Sequence, residues 1–267
     1  MSADLFAIRS LLFLPASNPR AIAKAREAGA DLVVLDLEDA VKRADKDAAR
    51  AAAVEAVAQP WPIPVAIRVN GAASEWHLAD VEAVANSAAD LVVVPRCADP
   101  DQARLVAEIT RKPVLAMVET AAGVLAAAAI AYEVSALIAG TNDLAADLRL
   151  PADAGRQPLQ TALQSIVLAA RAAGIAAFDG VFNRLDDADG LEAECRDSRR
   201  LGFDGKSLIH PGQIEPCHRA FAPSEAEIDR ARRLVAAATG GAERFEGAMV
   251  EAMHVAAAER LLARVPN

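Results

Sequence analysis

The sequence predicts a (β/α)8 barrel followed by extra C-terminal helices. Eight short β-rich apolar runs recur over roughly the first 220 residues, each followed by an Ala-rich amphipathic stretch. This alternation is expected of parallel strands joined by helical crossovers. No G-x-G-x-x-G follows the first run. An open doubly wound sheet usually has about five to seven strands and such a Gly-rich first turn, so the closed barrel is the better match.

The runs and their helix candidates pair off in order along the chain. SLLFLP (10 to 15) precedes a helical stretch at 19 to 28, and DLVVLDL (31 to 37) one at 45 to 58. PVAIRVN (64 to 70) precedes 75 to 87, and DLVVVPR (90 to 96) precedes 100 to 111. PVLAMVE (113 to 119) leads to 121 to 132, and SALIAG (135 to 140) to 158 to 173. AAFDGVF (176 to 182) leads to 188 to 200, and GKSLIH (205 to 210) to 212 to 220. The barrel is thus expected over 1 to 222, with a helical arm at 223 to 267. In that arm Ser224 and Glu227 have capping-box spacing and set the start of a helix. TGGAERFEG reads as a loose joint before a final helical stretch after 248.

Composition narrows the function classes. The chain has 267 residues, 54% hydrophobic and 24% charged, as a well-packed globular protein does. A net charge of -9 argues against a nucleic-acid or anionic-membrane surface, and 4% aromatic content against stacking platforms. No segment has the length of a membrane span, and residues 1 to 8 lack a secretory start, which predicts a cytoplasmic protein. Cys97, Cys195 and Cys217 are scattered and odd in number, so a disulfide framework is not expected.

In a barrel the chemistry lies at the C-terminal ends of the strands. The ends of these runs carry Asp36, Glu38 and Asp39, then Arg68 and Asn70, Arg96, Glu119, Asn142 and Asp143, Asp179, and finally Lys206 and His210. The three carboxylates of LDLEDAV need counter-charges, because an ionised carboxylate is costly to bury alone. Glu119 and Asp143 could converge on a hard cation such as Mg2+, which prefers oxygen ligands and keeps open positions. They could equally be acids that cap helix starts. Arg68 could grip a substrate carboxylate in two-point fashion and act catalytically by stabilising charge that grows on an enolate oxygen, or it could neutralise Asp36 or Glu38.

Other candidates read as structural. Cys97 has no His in an obvious partner position and reads as small filler, and His210, before a Pro, as a residue that orders a turn. Lys206 is expected to pair with nearby acids rather than form a Schiff base. Asp186, Asp187 and Asp189 lack the twelve-residue pattern of a calcium loop.

RSLLFLPASNPR, VVLDLEDAV, IRVN, VVVPR, VETAAGV, GTNDLAADL, LGFDGKSLIHPGQI and FAPSEAEIDRA resemble, in order and spacing, the citrate lyase β-subunit-like branch of the HpcH/HpaI aldolase family. The resemblance implies a (β/α)8 barrel, commonly a homotrimer, that cleaves or forms a carbon–carbon bond of a short 3-hydroxyacyl-CoA such as citryl-, malyl- or citramalyl-CoA. The products are a 2-oxo acid and an acyl-CoA. It implies Glu119 and Asp143 as Mg2+ ligands, with Glu119 also touching substrate, and Arg68 as the group that binds the acid's carboxylate. Glu38 and Asp39 would form the outer shell of the metal site, and Arg20 and Lys24 would hold a coenzyme A phosphate.

The family's acid/base is an Asp in the C-terminal arm, which reaches the mouth of a neighbouring subunit. GAMVEAMH places Glu251 at that position, and Met253 replaces a Pro. Arg96 stands where the family has Lys. An acyl-CoA thioesterase on the same substrates, an aldolase of free sugar acids, and a β-like subunit inert without partners are the rival readings.

Overall fold

A computed structural model describes residues 4–263 of the chain. Eight parallel strands close on themselves: β1 (Ser10–Pro15), β2 (Leu32–Asp36), β3 (Val65–Arg68), β4 (Leu91–Val94), β5 (Val114–Val118), β6 (Ala136–Ala139), β7 (Ala176–Asp179) and β8 (Gly205–Leu208). β8 returns to β1 with Leu11 opposite Ser207, so the barrel has no free edge. All eight predicted runs are strands.

Alternation along each strand divides the apolar residues between two cores. Leu11, Val34, Val93, Leu115, Ile138 and Phe178 pack inside the barrel. Their neighbours Leu12, Val33, Val92, Ala116, Leu137 and Ala177 belong to a larger cluster shared with the surrounding helices. The strands read as unbroken apolar runs because both faces are covered.

The crossover helices are α1 (Pro19–Ala25), α2 (Lys46–Val57), α3 (His77–Ala85), α4 (Pro100–Thr110) and α5 (Ala121–Ala131), then α6 (Thr141–Asp147), α7 (Gln160–Ala173), α8 (Ala188–Leu201) and α9 (Ile214–Phe221). Their starts follow local chemistry: Asn18, Asp99, Thr120 and Asp187 each accept a backbone N–H of the first turn. The short α6 was not expected; it begins at once after the Gly140 turn and carries Asp143 in its first turn.

The chain divides into two compact units, Met1–Phe221 and Ala222–Asn267. In the second, α10 (Glu225–Ala237) opens on a Ser224/Glu227 capping box, as the spacing predicts. The segment read as a loose joint instead holds β9 (Glu243–Phe245) and the turn of an antiparallel hairpin, whose second strand β10 (Ala248–Val250) takes the start of the stretch expected to be helical, before α11 (Ala252–Ala263). Its two-residue turn has Glu246 at φ 49 and Gly247 at φ 85, the positive-φ pair of a type I′ hairpin. Glu in the first place hides the turn from a search for Asn-Gly or Asp-Gly. Ala231, Leu234, Val250 and Ala258 form this unit's own small core. Among the described residues no helix is long and apolar enough to cross a membrane.

Candidate active site

A cavity of about 410 Å3 opens among the C-terminal ends of the barrel strands, lined by Phe13, Arg68, Met117, Glu119, Asp143 and Ser207, among others. Asp36 explains the acidic end of DLVVLDLEDAV. Its carboxylate is 1% exposed and accepts Arg68 Nε and Nη2, each at 2.6 Å, and the backbone N–H groups of Glu38 at 2.8 Å and Ala40 at 3.0 Å. Burial alone would raise its pKa, but the Arg68 charge and these hydrogen bonds hold it below the ordinary carboxylate value. Asp36 is therefore an ionised anchor that shapes the loop carrying Glu38 and Asp39.

Arg68 is 8% exposed, and its Nη1 lies 2.9 Å from Glu38 Oε2. It thus pairs with Asp36 and Glu38 and lines the cavity at once. Glu38 Oε2 is buried with no aligned hydrogen bond. Burial raises the Glu38 pKa to about 8, with the Arg68 charge opposing and Asp39 and Glu119 reinforcing the rise.

Glu119 follows β5 and is 2% exposed. Its Oε1 accepts the backbone N–H of Arg96 at 2.6 Å, an N–H aimed there by a left-handed Arg96 backbone at φ 48. Such a conformation costs a side-chain-bearing residue about 1 kcal/mol. Burial pushes the Glu119 pKa up to about 7; the Arg96 N–H and Arg68 oppose this, while Asp143 and Asp39 add to it. The Arg96 guanidinium reaches Asp143 Oδ1 at 3.2 Å. Space for Glu119 depends on Gly140, where a Cβ would lie 2.3 Å from both Cβ and Oε2 of Glu119.

The donor set suits a hard cation: the acids are oxygen ligands, and the site carries a crowded negative charge. Among the described residues no three His, Cys, Asp or Glu side chains form a ready metal cage. A cation held by Glu119 and Asp143 would keep positions for other oxygen ligands, which Mg2+ accepts.

The remaining predicted residues fall in several places. Asp39 lines this cavity and a neighbouring one of about 570 Å3, which also takes in Glu38, Arg43, Lys46, Trp76 and Arg96. Arg20 and Lys24 lie exposed on α1 and form no ion pair among the described residues. Glu251 follows β10 and opens α11, and its N–H donates to His254 Nδ1 at 3.0 Å.

Asp179 and Lys206, which the strand ends place at the mouth, do not serve it. They are paired in register one residue beyond the inward-facing Phe178 and Gly205 and so turn toward the helices. There Lys206 Nζ donates to Asp179 and to Glu194 of α8, each at 2.7 Å, and Arg156 reaches Asp179 at 2.8 Å. Lys206 thus pairs with acids, but behind the barrel wall. His210 accepts the N–H of Gly212 and orders its turn. Burial pushes the Cys97 thiol up to about 11, and Asp187 caps α8.

Lys46 was missed. Its Nζ donates to the carbonyls of Leu37 and Glu38, each at 2.7 Å, and to Asn70 Oδ1 at 2.6 Å. Asn70 is held in turn by Asp80, through its backbone N–H at 2.9 Å and its amide at 2.6 Å. This chain braces the acidic loop from behind; a Lys at the start of a helix gives no hint of it.

A sequence model described as HpcH/HpaI aldolase/citrate lyase matches residues 9–211. The chain is 41% identical to a (3S)-malyl-CoA thioesterase of Cereibacter sphaeroides, covering 96% of this chain and 94% of that protein. It is 35% identical to the citrate lyase subunit beta of Escherichia coli, over 96% and 92% of the two chains. Its fold is similar to that of CitE from Mycobacterium tuberculosis in complex with magnesium, acetoacetate and coenzyme A, with a TM-score of 0.86, 37% identity, and coverage of 97% and 99%.

Proposed function

The chain belongs to the HpcH/HpaI aldolase/citrate lyase family, and on that premise we propose that it is a Mg2+-dependent carbon–carbon lyase. Its substrate in this reading is a short 3-hydroxyacyl-CoA of the malyl, citryl or citramalyl type, split into a 2-oxo acid and an acyl-CoA. The observation that carries the reading is the gathering of Glu119, Asp143 and Arg68 on one cavity at the C-terminal ends of the strands. Magnesium in a homologous structure supports the same cofactor here.

Glu119 and Asp143 hold Mg2+ in this mechanism, with Glu38 and Asp39 in its outer shell. The ion supplies Lewis-acid stabilisation of the charge that develops as the carbon–carbon bond breaks. Arg68 binds the acid's carboxylate: Asp36 fixes the guanidinium through Nε and Nη2, Nη1 faces Glu38 Oε2 and the Met117 sulfur, and the second Nη2 hydrogen is left to donate. Glu251 takes the hydroxyl proton in cleavage, or the thioester's α-proton in condensation. Arg20 and Lys24 hold a coenzyme A phosphate. The working form is a cytoplasmic homotrimer whose arm, beyond residue 222, packs on a neighbouring subunit.

The 41% identity to a malyl-CoA thioesterase favours a second reading, in which water cleaves the carbon–sulfur bond of the same substrates. Mass spectrometry of products from (3S)-malyl-, citryl- and citramalyl-CoA, with Mg2+ and with EDTA, separates them. A 2-oxo acid with a shortened acyl-CoA, abolished by EDTA, is the expected result. Free coenzyme A with an intact hydroxy acid selects the thioesterase, and no turnover of any substrate sinks both.

A further inference from the structure

We infer that the Ser207 hydroxyl is a substrate-binding group, a hydrogen-bond donor to an oxygen of the bound 2-oxo acid. The inference deepens the proposed function and rests on the reading that this cavity receives such an acid. Ser207 stands opposite Leu11 in the β1/β8 register, and Leu11 is part of the core inside the barrel. Its side chain therefore lies inside, whereas Leu208 beside it packs in the cluster shared with the helices.

Ser207 lines the cavity together with Phe13, Arg68 and Met117, and is 2% exposed. Its Oγ is buried and has no hydrogen-bond partner among the described residues. Buried hydroxyls are almost always paired, because an unmet one forfeits its bonds to water. Phe13 and the Met117 thioether offer no strong acceptor, so the partner comes from what enters the cavity. Arg68 lines the same cavity and can donate to a carboxylate, and a carbonyl or carboxylate oxygen is the acceptor that a hydroxyl can serve.

Nucleophilic attack by Ser207 is a poorer account of the same hydroxyl, because a serine needs a base within reach. The adjacent Lys206 is on the opposite face and committed to Asp179 and Glu194. His210 Nδ1 already accepts the Gly212 N–H at 3.1 Å, and His77 Nδ1 is engaged with the Asn70 carbonyl at 2.7 Å. No carboxylate or other base lies within hydrogen-bonding reach of Ser207 Oγ among the described residues, which favours binding over covalent catalysis.

The test titrates the full-length protein, loaded with Mg2+, with oxaloacetate and with pyruvate by calorimetry, for the natural chain, Ser207→Ala and Ser207→Cys. Mg2+ affinity is measured separately for each. Loss of a hydrogen bond to a charged group is expected to weaken acid binding about tenfold in the Ala variant and nearly as much in the isosteric Cys variant. Mg2+ affinity should not move. Acid binding unchanged in both variants overturns the inference alone, as does a parallel loss of Mg2+ affinity, which would make the effect indirect. A natural chain that binds neither acid sinks the functional reading and this inference with it. The Cys variant keeps the volume of the side chain and preserves the test should Ser207→Ala fail to fold.

Discussion

Arg68 grips Asp36 in two-point fashion, Nε to Oδ1 and Nη2 to Oδ2, both at 2.6 Å, across adjacent strands β3 and β2. Asp36→Ala would leave a guanidinium that is 8% exposed without its main counter-charge. Breaking a buried pair from one side costs ~3–5 kcal/mol, so the melting temperature is expected to fall by ~10 °C in a thermal scan. A fall of less than about 2 °C, the size of a surface change, would contradict the anchoring role.

Gly140 is a requirement of Glu119. In Gly140→Ala the new Cβ meets Glu119 Cβ and Oε2 at 2.3 Å, and the carboxylate must move. Mg2+ affinity by calorimetry is expected to drop about tenfold or more. Gly71→Ala is the control, since its Cβ meets only Glu38 Oε1 at 3.8 Å, and should leave that affinity within about twofold.

The pH dependence of metal-free stability carries a definite sign. Burial raises the Glu119 pKa from 4.5 to about 7, so the folded state holds a proton that the unfolded chain releases. Its stabilising contribution is full below the unfolded value and is lost as pH rises through about 7. Glu119→Gln removes this term, and in EDTA the variant should gain on the natural chain between pH ~5 and pH ~8 by on the order of 1–3 kcal/mol in urea unfolding. A constant difference across that range would refute the shift.

Behind the barrel wall the sign reverses. Burial would raise the Asp179 pKa, but Lys206 and Arg156 override it and lower it to about 2. Stability from this group is present above the unfolded value of 3.8 and is lost as pH falls toward about 2. Asp179→Asn is expected to cost ~3 kcal/mol at neutral pH, with the gap to the natural chain narrowing below pH ~4. Chemical unfolding at both pH values measures it.

Period and chemistry make much of this molecule legible in its sequence. Both faces of each strand are buried, so the eight runs are largely apolar, and polar residues at or just past the ends of seven of them mark the strand ends. Glu119 at the end of PVLAMVE and Arg68 in PVAIRVN were legible for that reason. Asp179 and Lys206 were misplaced because a strand end does not state which face its last residue takes. One step along β7 or β8 moves a side chain from the cavity to the helix layer.

The sequence by itself determined the barrel, the order of its elements and the acids, Arg and Gly at their ends, since these follow from local apolar patterning and turn chemistry. Only the tertiary structure decided which of those charges meet. It paired Arg68 with Asp36, put Lys46 behind the acidic loop, aimed the Arg96 N–H at Glu119 and left the Ser207 hydroxyl without a partner among the described residues. Those outcomes depend on register and barrel closure, which bring residues far apart in the chain within hydrogen-bonding distance and which no single segment encodes.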